Sequence, residues 1–188
     1  KQVSSLALLH ATSLDINMSH TNPNLLKTIV MRAAWLLNAN GGTLYLNIPQ
    51  KEQLLCKVSH NLPYNQEGSI ISYSEGAAGM VAETMKALIV DDYRVWPGRA
   101  SVYEADQPFC AVICAPVVCK GQVAGALQVI YDDPERRFTQ HDLELLTLFA
   151  QQAGVAIENA RLYAAVATAR QHLGLIYDIS REISSSLN

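Results

Sequence analysis

The sequence predicts an α+β fold built on an antiparallel sheet. Three observations lead there. The elements run helix, helix, strands, short helix, strands and long helix, without regular βαβ alternation. Lys120-Gly121-Gln122 is too short a connection for anything but an antiparallel hairpin between the apolar strands that flank it. From Thr139 onward, one apolar stripe at helical spacing supplies a long helix suited to covering a sheet face. The 188 residues suffice for one domain with a real core and are short for two.

Composition narrows the function classes. With 49% hydrophobic and 16% charged residues the chain is neither disordered nor collagen-like. A net charge of −3 and 14 Lys and Arg that form no run leave out the basic footprint of a nucleic-acid binder. Apolar stretches such as Ala111 to Val118 fall far below the roughly 20 residues of a membrane helix, and no signal-like segment opens the chain, so it reads as cytosolic.

Taken in order, residues 4–18 carry a helical stripe of Leu6, Leu9, Ser13 and Ile16, broken by Asn22-Pro23-Asn24. A second helix over about 24–39 carries Leu25, Ile29, Ala33, Leu36 and Leu37, and Asn40-Gly41-Gly42 is expected to end it. Thr43–Ile48 alternates Leu44, Leu46, Ile48 with Thr43, Tyr45, Asn47, a strand with two unlike faces, and Gln53–His60 is its partner across the turn at 49–52. Residues 61–74 are polar and broken by Pro and Gly, and read mostly as loop. Gly76 to about Met85 is a short helix, Leu88–Val90 a short strand, and residues 94–107 a loop. Phe109–Cys119 and Val123–Tyr131 are the hairpin strands, and Asp132-Asp133-Pro134 ends the sheet. Thr139 with Asp142 is a capping-box variant ahead of Leu143, Leu146, Ala150, Ala153 and Ile157, the stripe that should meet the sheet.

A second stripe then takes over: Leu162, Val166, Ala169, Leu173, Ile176, Ser180, Ile183 and Leu187, alternating spacings of four and three. Such a heptad seam predicts a coiled coil and a parallel homodimer, with small Ala169 and polar Ser180 leaving room for alternative packing. It divides the chain into a domain over 1–163 and a linker helix over 164–188. Residues 6–19 and 173–186 also match at one constant offset, Leu6, Leu8, Leu9, Ser13, Ile16 and Ser19 against Leu173, Leu175, Ile176, Ser180, Ile183 and Ser186. The expectation is a module excised from a chain of successive domains on continuous helices.

The four cysteines form no CxxC pair. Cys110 and Cys114 share a strand face but stand roughly 13 Å apart at ~3.3 Å per residue, and Cys119 falls on the other face. No ion can be held between them, and buried structural thiols are expected at all four positions, Cys56 included.

Five segments stand out: residues 75–82 (EGAAGMVA), 88–93 (LIVDDY), 112–118 followed by 120–129 (KGQVAGALQV), 137–143 (RFTQHDL) and 152–163 (QAGVAIENARLY). In this order and spacing they resemble the GAF domain of bacterial signal-transduction proteins. The resemblance spans roughly 4–163. It implies a sheet with the terminal helices on one face and a small-molecule pocket on the other, roofed by short helices and loops, in a sensor such as a histidine kinase of a two-component system. Bilin-carrying relatives need a cysteine followed by His, which is absent. The spaced Asn-Lys, Phe and Asp signature of cyclic-nucleotide binders is not found. The reductases of this fold place catalytic cysteines in loops corresponding to 61–76 and 91–108, which hold none. A cysteine-dependent reductase is therefore the weaker reading, and a ligand-free dimerisation spacer is the other alternative to a sensor.

The resemblance puts Asp92, Tyr93 and Trp96 at the pocket rim, with Tyr103, Glu104 and the Cys110 and Cys114 face as further candidates. Gly76-x-x-Gly79 could present backbone N–H groups to an anion or serve a tight turn and close packing. Asn17-Met18-Ser19-His20 lacks the residues that should follow a phospho-acceptor histidine. No metal-binding His pair, serine elbow or phosphate loop occurs, so catalytic residues and a metal are expected to be absent.

Overall fold

In the computed structural model the described residues are 24–48, 50–100 and 109–186, the side chains of 164, 165 and 167–186 excepted. The helix expected over 4–18, Tyr103, Glu104 and the seam side chains beyond Val166 lie outside them.

Helix α1 (Leu25–Leu36) buries Ile29 and Ala33 of the expected stripe, with Val30 and Ala34 beside them. It ends at Leu37 and the left-handed Asn38, φ 51°, rather than at the glycine pair. Gly41 and Gly42 instead open strand β1 (Gly41–Ile48). Neighbouring backbone requires them: a Cβ would stand 2.4 Å from the His60 carbonyl oxygen at Gly41 and 2.7 Å from that of Gln128 at Gly42.

Strands β2 (Gln53–His60), β3 (Ile70–Ser72), β4 (Leu88–Val90), β5 (Ala111–Cys119) and β6 (Gln122–Tyr131) complete one antiparallel sheet in the order β3-β2-β1-β6-β5-β4. Between β3 and β4 runs helix α2 (Gly76–Thr84), and helix α3 (Gln140–Ser186) follows β6 without interruption at residue 163. Residues 61–74 are mostly loop, as expected, with the short strand β3 added within them. Its three residues are too few to show a period, and it forms because Ile71 pairs with Leu54 at the sheet edge. The β5–β6 hairpin closes on Lys120 and Gly121, both at positive φ, 50° and 76°. This is the turn whose twist suits two strands joined by two residues.

Two bulges set which side chains face which layer. The β1–β2 register passes from Leu44 opposite Val58 to Tyr45 opposite Cys56, leaving Lys57 unpaired. Cys56 and Val58 consequently point to opposite sides. In β6, Ala124 is the extra residue between the pairs Val117–Gly125 and Val118–Val123.

One face carries Leu44, Val58, Ile113, Ala115, Val117, Leu127 and Val129, covered by α1 and by Leu143, Leu146, Phe149, Ala150, Ala153 and Ile157 of α3. Leu146 and Phe149 are fully buried, each contributing about 1.5–3 kcal/mol by removal from water. Helix α3 starts as its cap predicts: Thr139 N–H donates to Asp142 Oδ2 at 2.7 Å and Asp142 N–H to Thr139 Oγ1 at 3.3 Å. The opposite face carries Tyr45, Leu54, Cys56, Val112, Cys114, Ala126 and Ile130 beneath α2 and the segment after β4.

Candidate functional site

The α2 side of the sheet is where the terminal helices are not. Helix α2 is small because it must lie close: a Cβ on Gly79 would come within 2.3 Å of the Ser72 carbonyl oxygen. At its first residue, Gly76 has φ +66°, and a Cβ there would meet the Tyr93 hydroxyl at 3.0 Å. That hydroxyl accepts the Ala100 N–H at 3.1 Å and hydrogen-bonds the Ala77 backbone, so a neutral phenol sits at the helix start. The packing role of Gly76 and Gly79 is thus visible in the geometry. Burial pushes the Tyr93 hydroxyl further above its ordinary range.

Tyr93 is the hub of this side. Its ring is 5.5 Å from Trp96 and 4.8 Å from Phe109, both tilted, and it is 3% exposed. Trp96 is half-buried against the same cluster. Asp92 stands beside it with a partner of its own: Arg94 Nε donates to Oδ1 at 2.8 Å, the terminal guanidinium nitrogen to Oδ2 at 2.7 Å, and Arg94 N–H to Oδ1 at 3.0 Å. The side-chain bonds from Arg94 hold the Asp92 carboxyl down to about 2. Tyr93, Trp96, Gly76, Gly79 and Cys114 come together on this side, with Asp92 at its edge.

Cys110 precedes β5 and donates its S–H to the Asp132 carbonyl at 3.1 Å, at the end of the strand pair. Cys114 lies at the centre of the sheet under Tyr93. All four thiols are free and buried, and burial raises those of Cys56, to about 12, Cys114 and Cys119.

Sequence reasoning missed a polar row through this apolar layer. Ser59, Thr43, Gln128 and Cys114 are successive cross-strand partners on β2, β1, β6 and β5. Thr43 is 0% and Gln128 5% exposed. The signal was present as one Gln in the apolar run 123–131 and a Thr on the face shared with Tyr45, but only the register aligns them. Beside the row, the Tyr45 hydroxyl donates to Gln66 Oε1 at 2.8 Å, tying the loop before β3 onto the sheet. A separate surface cleft of about 280 Å³ is lined by Lys51, Glu52, Ser72, Tyr73, Ser74 and Glu83, where Ser74 bonds Glu83.

Among the described residues no group of three or more His, Cys, Asp or Glu side chains could hold a metal ion, and no helix is long and apolar enough to cross a membrane.

Comparison with known proteins follows the same architecture. The GAF domain of a phosphoenolpyruvate-protein phosphotransferase from Acinetobacter superposes with a TM-score of 0.74 at 19% identity, over 86% of this chain and 98% of that one. The free methionine-R-sulfoxide reductase of Neisseria meningitidis, solved with its substrate, gives 0.72 at 14% identity over 85% and 91%. In sequence, the probable 3',5'-cyclic phosphodiesterase pde-5 of Caenorhabditis elegans is 24% identical over 148 residues, 72% of this chain. The chain spans only 20% of that relative's length. The family model of the GAF domain matches residues 23–157, from two residues ahead of α1 through the buried stripe of α3. With sheet order, helix placement and family model in agreement, the chain belongs to the GAF domain family.

Proposed function

We propose that this domain is a noncatalytic, cytoplasmic sensory module of a bacterial signalling protein such as a histidine kinase, binding a small molecule on the α2 side and transmitting through α3 in a parallel homodimer. GAF domains are regulatory ligand-binding modules of signalling proteins and are generally noncatalytic. The observation that carries the reading is β5. Val112 and Cys114 face the α2 side while Ile113, Ala115 and Val117 pack under α3, so one strand touches both the site and the transmitting helix. A ligand that prefers one packing of this strand biases the other side by its differential affinity.

The thiols favour a noncatalytic role. A nucleophilic or redox cysteine works as the thiolate, and burial keeps Cys56 and Cys114 protonated at neutral pH. The seam favours the dimer. Leu148, Val155, Leu162 and Val166 are 41%, 55%, 52% and 51% exposed on α3, and the first two stand at heptad intervals ahead of Leu162. The stripe expected from Leu162 onward thus extends back over the domain itself, and a second copy covering it removes that surface from water. Residues 164–188 are read as a linker leading toward a following domain.

One feature favours the spacer reading instead: Tyr93 fills the start of α2 and Asp92 is satisfied by Arg94. Thermal melting of the full chain against a metabolite panel, with light scattering, separates them. A dimer at concentrations on the order of tens of micromolar whose melting point rises with a compound is the expected result. An unresponsive dimer leaves the spacer, and an unresponsive monomer removes both.

A further inference from the structure

The polar row across the sheet is the strongest feature that the fold does not use. Leu44, Leu127, Val129, Ile113 and Ala115 point to the long helices, so the alternating Thr43, Gln128 and Cys114 point to the α2 side. In that layer, Thr43 is completely buried and its Oγ1 has no hydrogen-bond partner among the described residues. Gln128 stands directly opposite on β6, 5% exposed, and presents its amide on the same face. Buried hydroxyls and amides are nearly always paired, because leaving water without a substitute bond is costly. A buried, unpaired hydroxyl beside a glutamine amide on this face of a ligand-binding fold therefore marks a place where another molecule completes the bonding.

We propose that Thr43 and Gln128 bind an uncharged ligand through a planar donor–acceptor edge, of the kind carried by a primary amide, a lactam or a cyclic imide. A glutamine amide offers an acceptor and donors in one plane, which an edge bearing N–H beside C=O matches with two parallel bonds, and the Thr43 hydroxyl adds a third. Charge sets the other half of the specificity. The row is neutral throughout, Tyr93 in the same layer is a neutral phenol, and the Asp92–Arg94 pair beside Tyr93 in the chain neutralises itself. An anionic ligand placed against this row would lose its hydration, and the row's own side chains supply no cation to replace it. The inference rests on the α2-side reading above and adds the ligand's chemistry.

The test is calorimetric titration and thermal shift of the full chain with uracil, nicotinamide and adenine on one side and cyclic AMP and cyclic GMP on the other. The parent chain is compared with Thr43→Val and Gln128→Glu, both close in shape, and folding is checked by circular dichroism. The expected result is that at least one neutral compound binds and that each substitution weakens it about tenfold, the size of one lost bond to a buried polar group. Binding of a cyclic nucleotide with none of the neutral compounds would overturn the ligand class while leaving the sensor reading standing. Neutral binding that both variants retain would overturn the site. If no probe binds and Thr43→Val simply raises the melting point, the ligand proposal fails and the spacer reading gains.

Discussion

The guanidinium of Arg136 lies over the ring of Tyr131, 4.2 Å from its centroid, while donating to the Asn38 carbonyl at 3.0 Å. Tyr131 in turn donates its hydroxyl to the Leu37 carbonyl at 2.8 Å and stacks on Phe138 at 4.0 Å. The end of β6, the lead-in to α3 and the C-terminus of α1 are thus fastened at one point, where α1's last carbonyls would otherwise need water.

Arg136→Ala should cost about 1–2 kcal/mol in urea unfolding, combining the cation–π contact with a charge-assisted bond to a carbonyl. Arg136→Lys should recover only part of it, because an ammonium lacks the planar face that stacks on Tyr131. A variant as stable as the parent would show the fastening to be decorative.

Where α3 crosses the end of β5, Gly154 allows contact: a Cβ there would stand 2.5 Å from the Val118 carbonyl oxygen. Gly154→Ala raises helix propensity, yet the clash should outweigh it and destabilise the domain by about 1–3 kcal/mol in denaturant melts. Gain of stability would mean that α3 lifts freely from β5.

Replacing Val155 and Leu162 together with Lys should dissociate the proposed dimer and leave the monomer's circular dichroism unchanged, since both side chains are half exposed within one chain. Sedimentation velocity checks it. A persistent dimer would place the interface elsewhere.

Protonation of Asp92 should loosen the turn after β4. Its carboxyl ordinarily titrates at 3.8 and is held at about 2 in the folded chain, so the folded state favours the ionised form. The contribution is complete above about 4 and disappears as pH falls through about 2, because the unfolded chain binds its proton first. Asp92→Asn should flatten the melting-point profile between pH 4 and 2. It should do so by a small margin, as an exposed pair allows.

Cys56 behaves oppositely at high pH. Its thiol is raised from 9.0 to about 12, so stability is full below about 9 and declines as the unfolded chain ionises above it. A thiol-specific disulfide reagent at pH 8 should modify Cys56 and Cys114 at a rate limited by unfolding, and rapid labelling of the native chain would contradict their burial.

What the sequence by itself determined was local. The α1 stripe, the two-residue hairpin at Lys120-Gly121, the cap at Thr139 and the buried face of α3 are all periodicities or turn chemistries within a few residues, and each appears where its spacing puts it. The segments that resemble GAF domains were legible for the same reason, as short runs in a fixed order. Tertiary structure alone decided whatever depends on a partner distant in the chain. Gly41 and Gly42 read as a helix stop until the His60 and Gln128 carbonyls press against them from both sides. The three residues of β3 have no pattern without Leu54, and the unpaired Lys57 and Ala124 exist only in a register between two strands. Asp92 looked free to meet a ligand because nothing in its spacing reveals that Arg94 folds back onto it. Thr43 and Gln128 lie 85 positions apart in the chain, and it is antiparallel pairing, where one strand's residue number rises as its neighbour's falls, that sets them side by side.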